Sequence, residues 1–217
     1  VGLFMRINAF RSVSPADVDA ALAEFWSRHH RRVEPVPPDA QVDAFDLHEQ
    51  RDGWTVMCWT SGWEWKLRRQ AQLHVSETLG CAGILVFVYD GDDWGYELFD
   101  RGAAVDRFIQ WPQEGNTWFP GKDLSGQPEA VVAAFPDLAL DRSDVATYLV
   151  QRQGDEADDA CNVAARPGDR FRRGDDCAAL DFLGLLGVTI GVSEHRLVFP
   201  APLWRRFRVE PPPVDED

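Results

Sequence analysis

Hydrophobic residues recur along this chain with two different periods. Residues 2–10 alternate and read as an opening strand. Ser14-Pro15-Ala16-Asp17 then carries the marks of a helix start: a hydroxyl for the N-cap, proline at the first helical position and an acid at the positive end of the dipole. Val18, Leu22, Phe25 and Trp26 continue it as one apolar stripe. The stripe fades at His29-His30, and Pro35, Pro37 and Pro38 stop it. Two alternating segments, 42–48 and 54–60, flank Arg51-Asp52-Gly53 and predict an antiparallel hairpin. Residues 63–79 satisfy both periods in part. Leu67, Ala71, Val75 and Leu79 fit the helical one, and Gly80 in the position after the last turn favours helix.

The next stretch is the clearest. Ile84-Leu85-Val86-Phe87-Val88 is a continuous apolar run, as in a central strand, and Asp90-Gly91-Asp92-Asp93 turns it. Residues 94–99 alternate, Arg101-Gly102 turns again, and 104–109 follow, so a three-stranded meander is expected. Beyond it, 111–126 is a connection punctuated by Trp and Pro. Short helices are expected at 128–135 and 143–151, and an acidic loop at 154–168. A helix capped by Asp175 or Asp176 runs through Leu180, Leu183 and Leu186 to Gly187. A small hairpin (188–192 with 196–199), a last edge strand at 204–209 and a tail complete the chain.

These elements predict an α+β protein: an antiparallel sheet with helices mainly on one face. Its first six elements fit a ferredoxin-like, split βαβ start, extended by the meander. The expected division is an α+β sheet domain over 1–112, a helical and hairpin extension packed on it over 113–210, and an acidic tail over 211–217.

Charge narrows the function classes. Among 217 residues there are 36 acidic and 22 basic side chains, a net charge of −14. Duplex binding needs cations to displace counterions, so no nucleic-acid partner is expected, and an anionic membrane surface is equally disfavoured. No apolar run approaches the ~20 residues of a membrane span, and residues 1–10 are too polar for a secretory signal core. The four cysteines are isolated in sequence. A cytoplasmic protein with reduced thiols is therefore expected.

Candidate chemistry is thin. His48, His74, Cys58 and Cys81 lack the short spacings of a zinc site. Asp90-Gly91-Asp92-Asp93-Trp94-Gly95 fails as a calcium loop, since Trp94 and Arg101 stand where oxygen ligands are needed. Neither a G-x-S-x-G elbow nor a phosphate-binding glycine loop is present. No catalytic residue, metal or cofactor is expected. The basic stretch 166–173 is expected to pair with acids at 155–159 and 175–176 or to lie solvated.

Tryptophan is the remaining signal. Nine are present, and seven of them, from Trp54 to Trp118, crowd the middle of the chain. Trp and Tyr combine a large apolar area with a polar handle, which suits binding surfaces as well as cores. Asp92, Asp93, Trp94, Tyr96, Asp106, Trp111 and Trp118 are accordingly the candidate partner- or ligand-binding residues. The function expected is a non-enzymatic acidic interaction module for a basic protein partner, as immunity proteins and antitoxins are. The alternative is a small-ligand-binding protein or enzyme with its site near the aromatic meander at 90–108.

Overall fold

The structure, a computed structural model, describes residues 4–40, 44–59, 65–89, 93–112, 123–152, 159–193 and 196–210. Its elements in chain order are β1 (Met5–Arg11), α1 (Pro15–Arg28), β2 (Val33–Val36), β3 (Ala44–His48), β4 (Trp54–Trp59), α2 (Trp65–Leu79), β5 (Ala82–Tyr89), β6 (Asp93–Asp100) and β7 (Ala103–Ile109). There follow α3 (Pro128–Ala134), α4 (Arg142–Ala146), α5 (Ala178–Leu185), β8 (Gly191–Ser193), β9 (Arg196–Val198) and β10 (Leu203–Val209). Eight strands form one antiparallel sheet, ordered β2-β10-β3-β4-β1-β5-β6-β7, while β8 and β9 pair separately. The chain is thus α+β, as the periodicities predict.

Local chemistry explains the element ends. Ser14 Oγ accepts the Asp17 amide at 3.2 Å, and Pro15 occupies the first helical position of α1. Helix α2 closes with Gly80 at a positive φ of 61°, the Cys81 amide reaching Ser76 O and the Gly80 amide Glu77 O. Helix α5 closes in the same way, on Gly187 with a φ of 80°. Both are Schellman motifs, which glycine permits because it has no Cβ to clash in the left-handed region. Before β4, Asp52 and Gly53 both take positive φ, and Arg51 and Trp54 exchange two backbone hydrogen bonds around them. That is a type I′ turn, whose twist matches a hairpin.

Two compact units emerge. One contains the described residues of Ile7–Gly83, Phe99–Ala103 and Ala201–Asp217. In it β1 pairs with β4, β4 with β3, β3 with β10 and β10 with β2, all antiparallel. Register lines up Phe207, Phe45 and Trp59 across three strands, with ring centroids 5.0 and 5.1 Å apart. Side chains directly opposite share a face. Trp26 of α1 meets Trp59 edge-on, and the Arg68 guanidinium of α2 lies 4.5 Å over the same ring. Both helices therefore cover one face of this half-sheet. On the other face Arg206 grips Asp46 through two hydrogen bonds, of 2.5 and 2.6 Å.

The second unit contains the described residues of Val1–Arg6, Ile84–Leu98 and Ala104–Pro200. It groups most of the meander with the C-terminal helices. Phe182 of α5 stacks on Tyr96 of β6 (5.4 Å, 13° between planes), and Tyr148, just after α4, packs against Phe182 at 5.7 Å.

Three elements depart from expectation. The segment Val33–Val36 is a strand despite Pro35; it sits at the sheet edge, where a missing N–H is tolerated. Because β2 takes that edge, β10 is an inner strand between β2 and β3, and not the edge strand expected at 204–209. Helix α4 stops at Ala146, short of the expected 151. Thr147 Oγ1 donates to Asp144 O, and Tyr148 turns its phenol to Asp169. The expected acidic loop includes a 3-10 turn at Asp159–Asn162 and an Ala164–Arg172 bridge; residues 153–158 lie outside the described residues.

Candidate functional site

The meander presents its aromatic residues to the interior, apart from the exposed Tyr89 at the end of β5. Trp94 and Tyr96 are fully buried, Trp94 lying 5.0 Å from Phe108 and 5.5 Å from Phe182. Tyr96 Oη donates to Asp106 Oδ2 at 2.6 Å, and the Gln127 amide donates to the same oxygen at 2.9 Å. Gln127 is the N-cap of α3, so this buried carboxylate ties β6, β7 and the start of α3 together. Burial pushes the Asp106 carboxyl up, against the pull of its hydrogen-bond donors. The same burial, with the Asp106 charge beside it, pushes the Tyr96 phenol above its ordinary range. Asp93 Oδ1 accepts the Trp111 amide at 3.0 Å, and the half-buried Trp111 ring lies under the Arg152 guanidinium. The structure thus joins Tyr96 with Asp106 and Asp93 with Trp111. Asp92 and Trp118 lie outside the described residues.

A second acid in the meander escaped the sequence reading. Glu97 is fully buried and accepts Arg107 Nε at 2.8 Å. Strand alternation places Glu97 on the face opposite Tyr96, but nothing in the periodicity marks that face as buried.

Two arginines of the basic stretch 166–173 pair with acids other than those expected, and the expected acids at 155–158 lie outside the described residues. Arg166 pairs with Asp144 at 3.0 Å and Arg170 with Asp181 at 3.0 Å. Asp181 also accepts the backbone amides of Arg170 and Phe171, so one buried carboxylate of α5 pins the whole turn. Asp169 Oδ2 accepts the Tyr148 phenol and the Arg166 amide, both at 2.8 Å. Between this loop and α5 lies a cleft of about 260 Å3, lined by Arg166, Arg170, Leu180, Leu185, Thr189 and Ile190, with Gly184 at its wall. No sequence motif announces it, because its walls come from a loop, a helix face and the segment after that helix.

Asp175, Asp176 and Cys177 are the one group of three potential metal ligands that converges among the described residues. Their contacts describe a turn ahead of the helix: Asp175 Oδ1 accepts the Cys177 amide at 2.8 Å, while the N-cap of α5 is Cys177 itself with no side-chain cap, so neither Asp175 nor Asp176 caps the helix as expected. Burial and the neighbouring Asp175 push the Asp176 carboxyl up to about 6, and burial with both acids pushes the Cys177 thiol up to about 12. Cys58 and Cys81 are raised by burial to about 12 and about 11, which keeps both thiols protonated and unreactive. His48 Nδ1 meets Ala201 O at 3.3 Å, and burial lowers its pKa. Ser76 Oγ donates to Cys81 O and accepts the Gly102 amide, a structural role.

Searches against protein-family models, curated proteins and solved structures find no match for the chain.

Proposed function

We propose that this chain is a non-enzymatic acidic interaction module for a basic protein partner, of the kind that immunity proteins and antitoxins represent. One observation carries that function: arginines are engaged internally while surplus carboxylates stand in solvent. Arg107, Arg206 and Arg208 all pair with acids of the same chain. Glu49, Glu77, Asp123, Asp141 and Asp175 are exposed and form no ion pair with a described residue. A surface with that balance attracts cations over a distance and accelerates encounter with a basic partner. A ligand or catalytic site at 90–108 has weaker support. Trp94 and Tyr96 are buried there, and one oxygen of Asp106 already serves two donors.

The test is capture from host lysate on the immobilised protein, followed by association kinetics with each purified stoichiometric partner. A basic partner is expected whose association rate falls about tenfold or more between low and high salt. No basic partner, or an on-rate indifferent to salt, would overturn the proposal.

A further inference from the structure

The cleft beside α5 has an imbalance of hydrogen-bonding capacity that indicates its occupant. Three of the four oxygens of its two acids are occupied. Both oxygens of Asp181 are taken, Oδ2 by the amides of Arg170 and Phe171 and Oδ1 by Arg170 Nε. Asp169 Oδ2 holds the Tyr148 phenol and the Arg166 amide. Among the described residues, its bases are only partly occupied. Arg170 uses Nε on Asp181 and Arg166 uses Nη2 on Asp144, while each guanidinium carries five N–H donors. These contacts orient both guanidinium groups without exhausting them, and the Thr189 hydroxyl adds a donor at an exposed position of the lining. The remaining walls are aliphatic: Leu180, Leu185 and Ile190.

We propose that this cleft binds a small organic anion, a carboxylate attached to a compact branched aliphatic body. The planar guanidinium fork matches a carboxylate in two-point contact, and prior orientation by Asp181 and Asp144 lowers the cost of ordering it. The aliphatic walls take the branched end. A volume of about 260 Å3 restricts the occupant to a small molecule or to the last residue of a peptide. This site is separate from the acidic surface invoked above, so either proposal can fail without the other.

Gly184 supplies a clean test. A Cβ built there meets no atom within 4 Å, and the residue lies inside α5 at the cleft wall. Gly184→Leu therefore has room, improves helix propensity, and covers the cleft while leaving both arginines in place. The probe is 4-methylpentanoate, followed by amide NMR on the full chain. Saturable shifts are expected at Arg170, Thr189 and Ile190, with the neutral 4-methylpentanamide binding about tenfold more weakly or worse. Arg166→Gln and Arg170→Gln should each weaken binding about tenfold, and Gly184→Leu should abolish it with thermal stability kept or raised. A short peptide ending in leucine, with free or amidated terminus, forms the second arm. Tighter binding of its free form than of 4-methylpentanoate identifies a chain terminus as the occupant, and the reverse identifies a free metabolite. Absence of saturable shifts with both carboxylates overturns the proposal. So does equal affinity for the amide, or binding that survives Gly184→Leu.

Discussion

Asp106 shows how one side chain can be read two ways. In sequence it is an acid beside aromatic residues, a candidate for binding. In the fold it is a buried acceptor holding Tyr96 and the Gln127 amide. Tyr96→Phe removes one of those donors from a buried carboxylate, and a loss of about 1–3 kcal/mol is expected, seen as a lowered melting temperature. Asp176 behaves differently. Its carboxyl is raised from 3.8 to about 6, so between those pH values the folded chain keeps a proton that the unfolded chain has lost. Stability from this group is therefore present at low pH and falls as pH rises through 6. Asp176→Asn should raise the melting temperature at pH 7.5 and leave it unchanged at pH 3.5. Solvent screening of this half-exposed group limits the gain to about 1 kcal/mol, or roughly 2–4 °C for a chain of this length.

Elements with strong local signals form where the periodicity places them. Helix α1 carries its cap, its proline and its stripe in consecutive residues, and β5 carries five apolar residues in a row. Strand β2 and the end of α4 carry no such signal, since pairing with β10 and the Tyr148–Asp169 contact decide them from far along the chain. Two glycines separate local from tertiary demands. At Gly95 a Cβ would lie 2.4 Å from Phe108 O and 2.7 Å from Phe87, so the strand needs glycine there for packing. Gly95→Ala should cost about 1–3 kcal/mol through overpacking, measured by chemical denaturation. Gly184 meets nothing, and Gly184→Ala should stabilise by up to about 1 kcal/mol through helix propensity alone. Equal effects at the two positions would refute this assignment of roles.

At the scale of the molecule, charge dominates. A net charge of −14 repels itself in the compact state, even though many arginines are paired within the fold. Raising sodium chloride from about 10 to 200 mM shortens the Debye length from roughly 30 to 7 Å, so the melting temperature should rise. A fall would mean that the screened arginine–carboxylate pairs outweigh the repulsion. None of the helices among the described residues is long and apolar enough to cross a membrane. The sequence by itself determined the class of the fold, the limits of its best-capped elements, the glycine turns and the acidic balance, because propensity, capping and charge act within a few residues or on the sum of them all. Only the tertiary structure decided that Trp94 and Tyr96 belong to the core, that β10 lies inside the sheet, and that Arg166 and Arg170 face a common cleft. Those outcomes depend on residues tens to more than a hundred positions apart, and a single sequence holds no local term that records which of them meet.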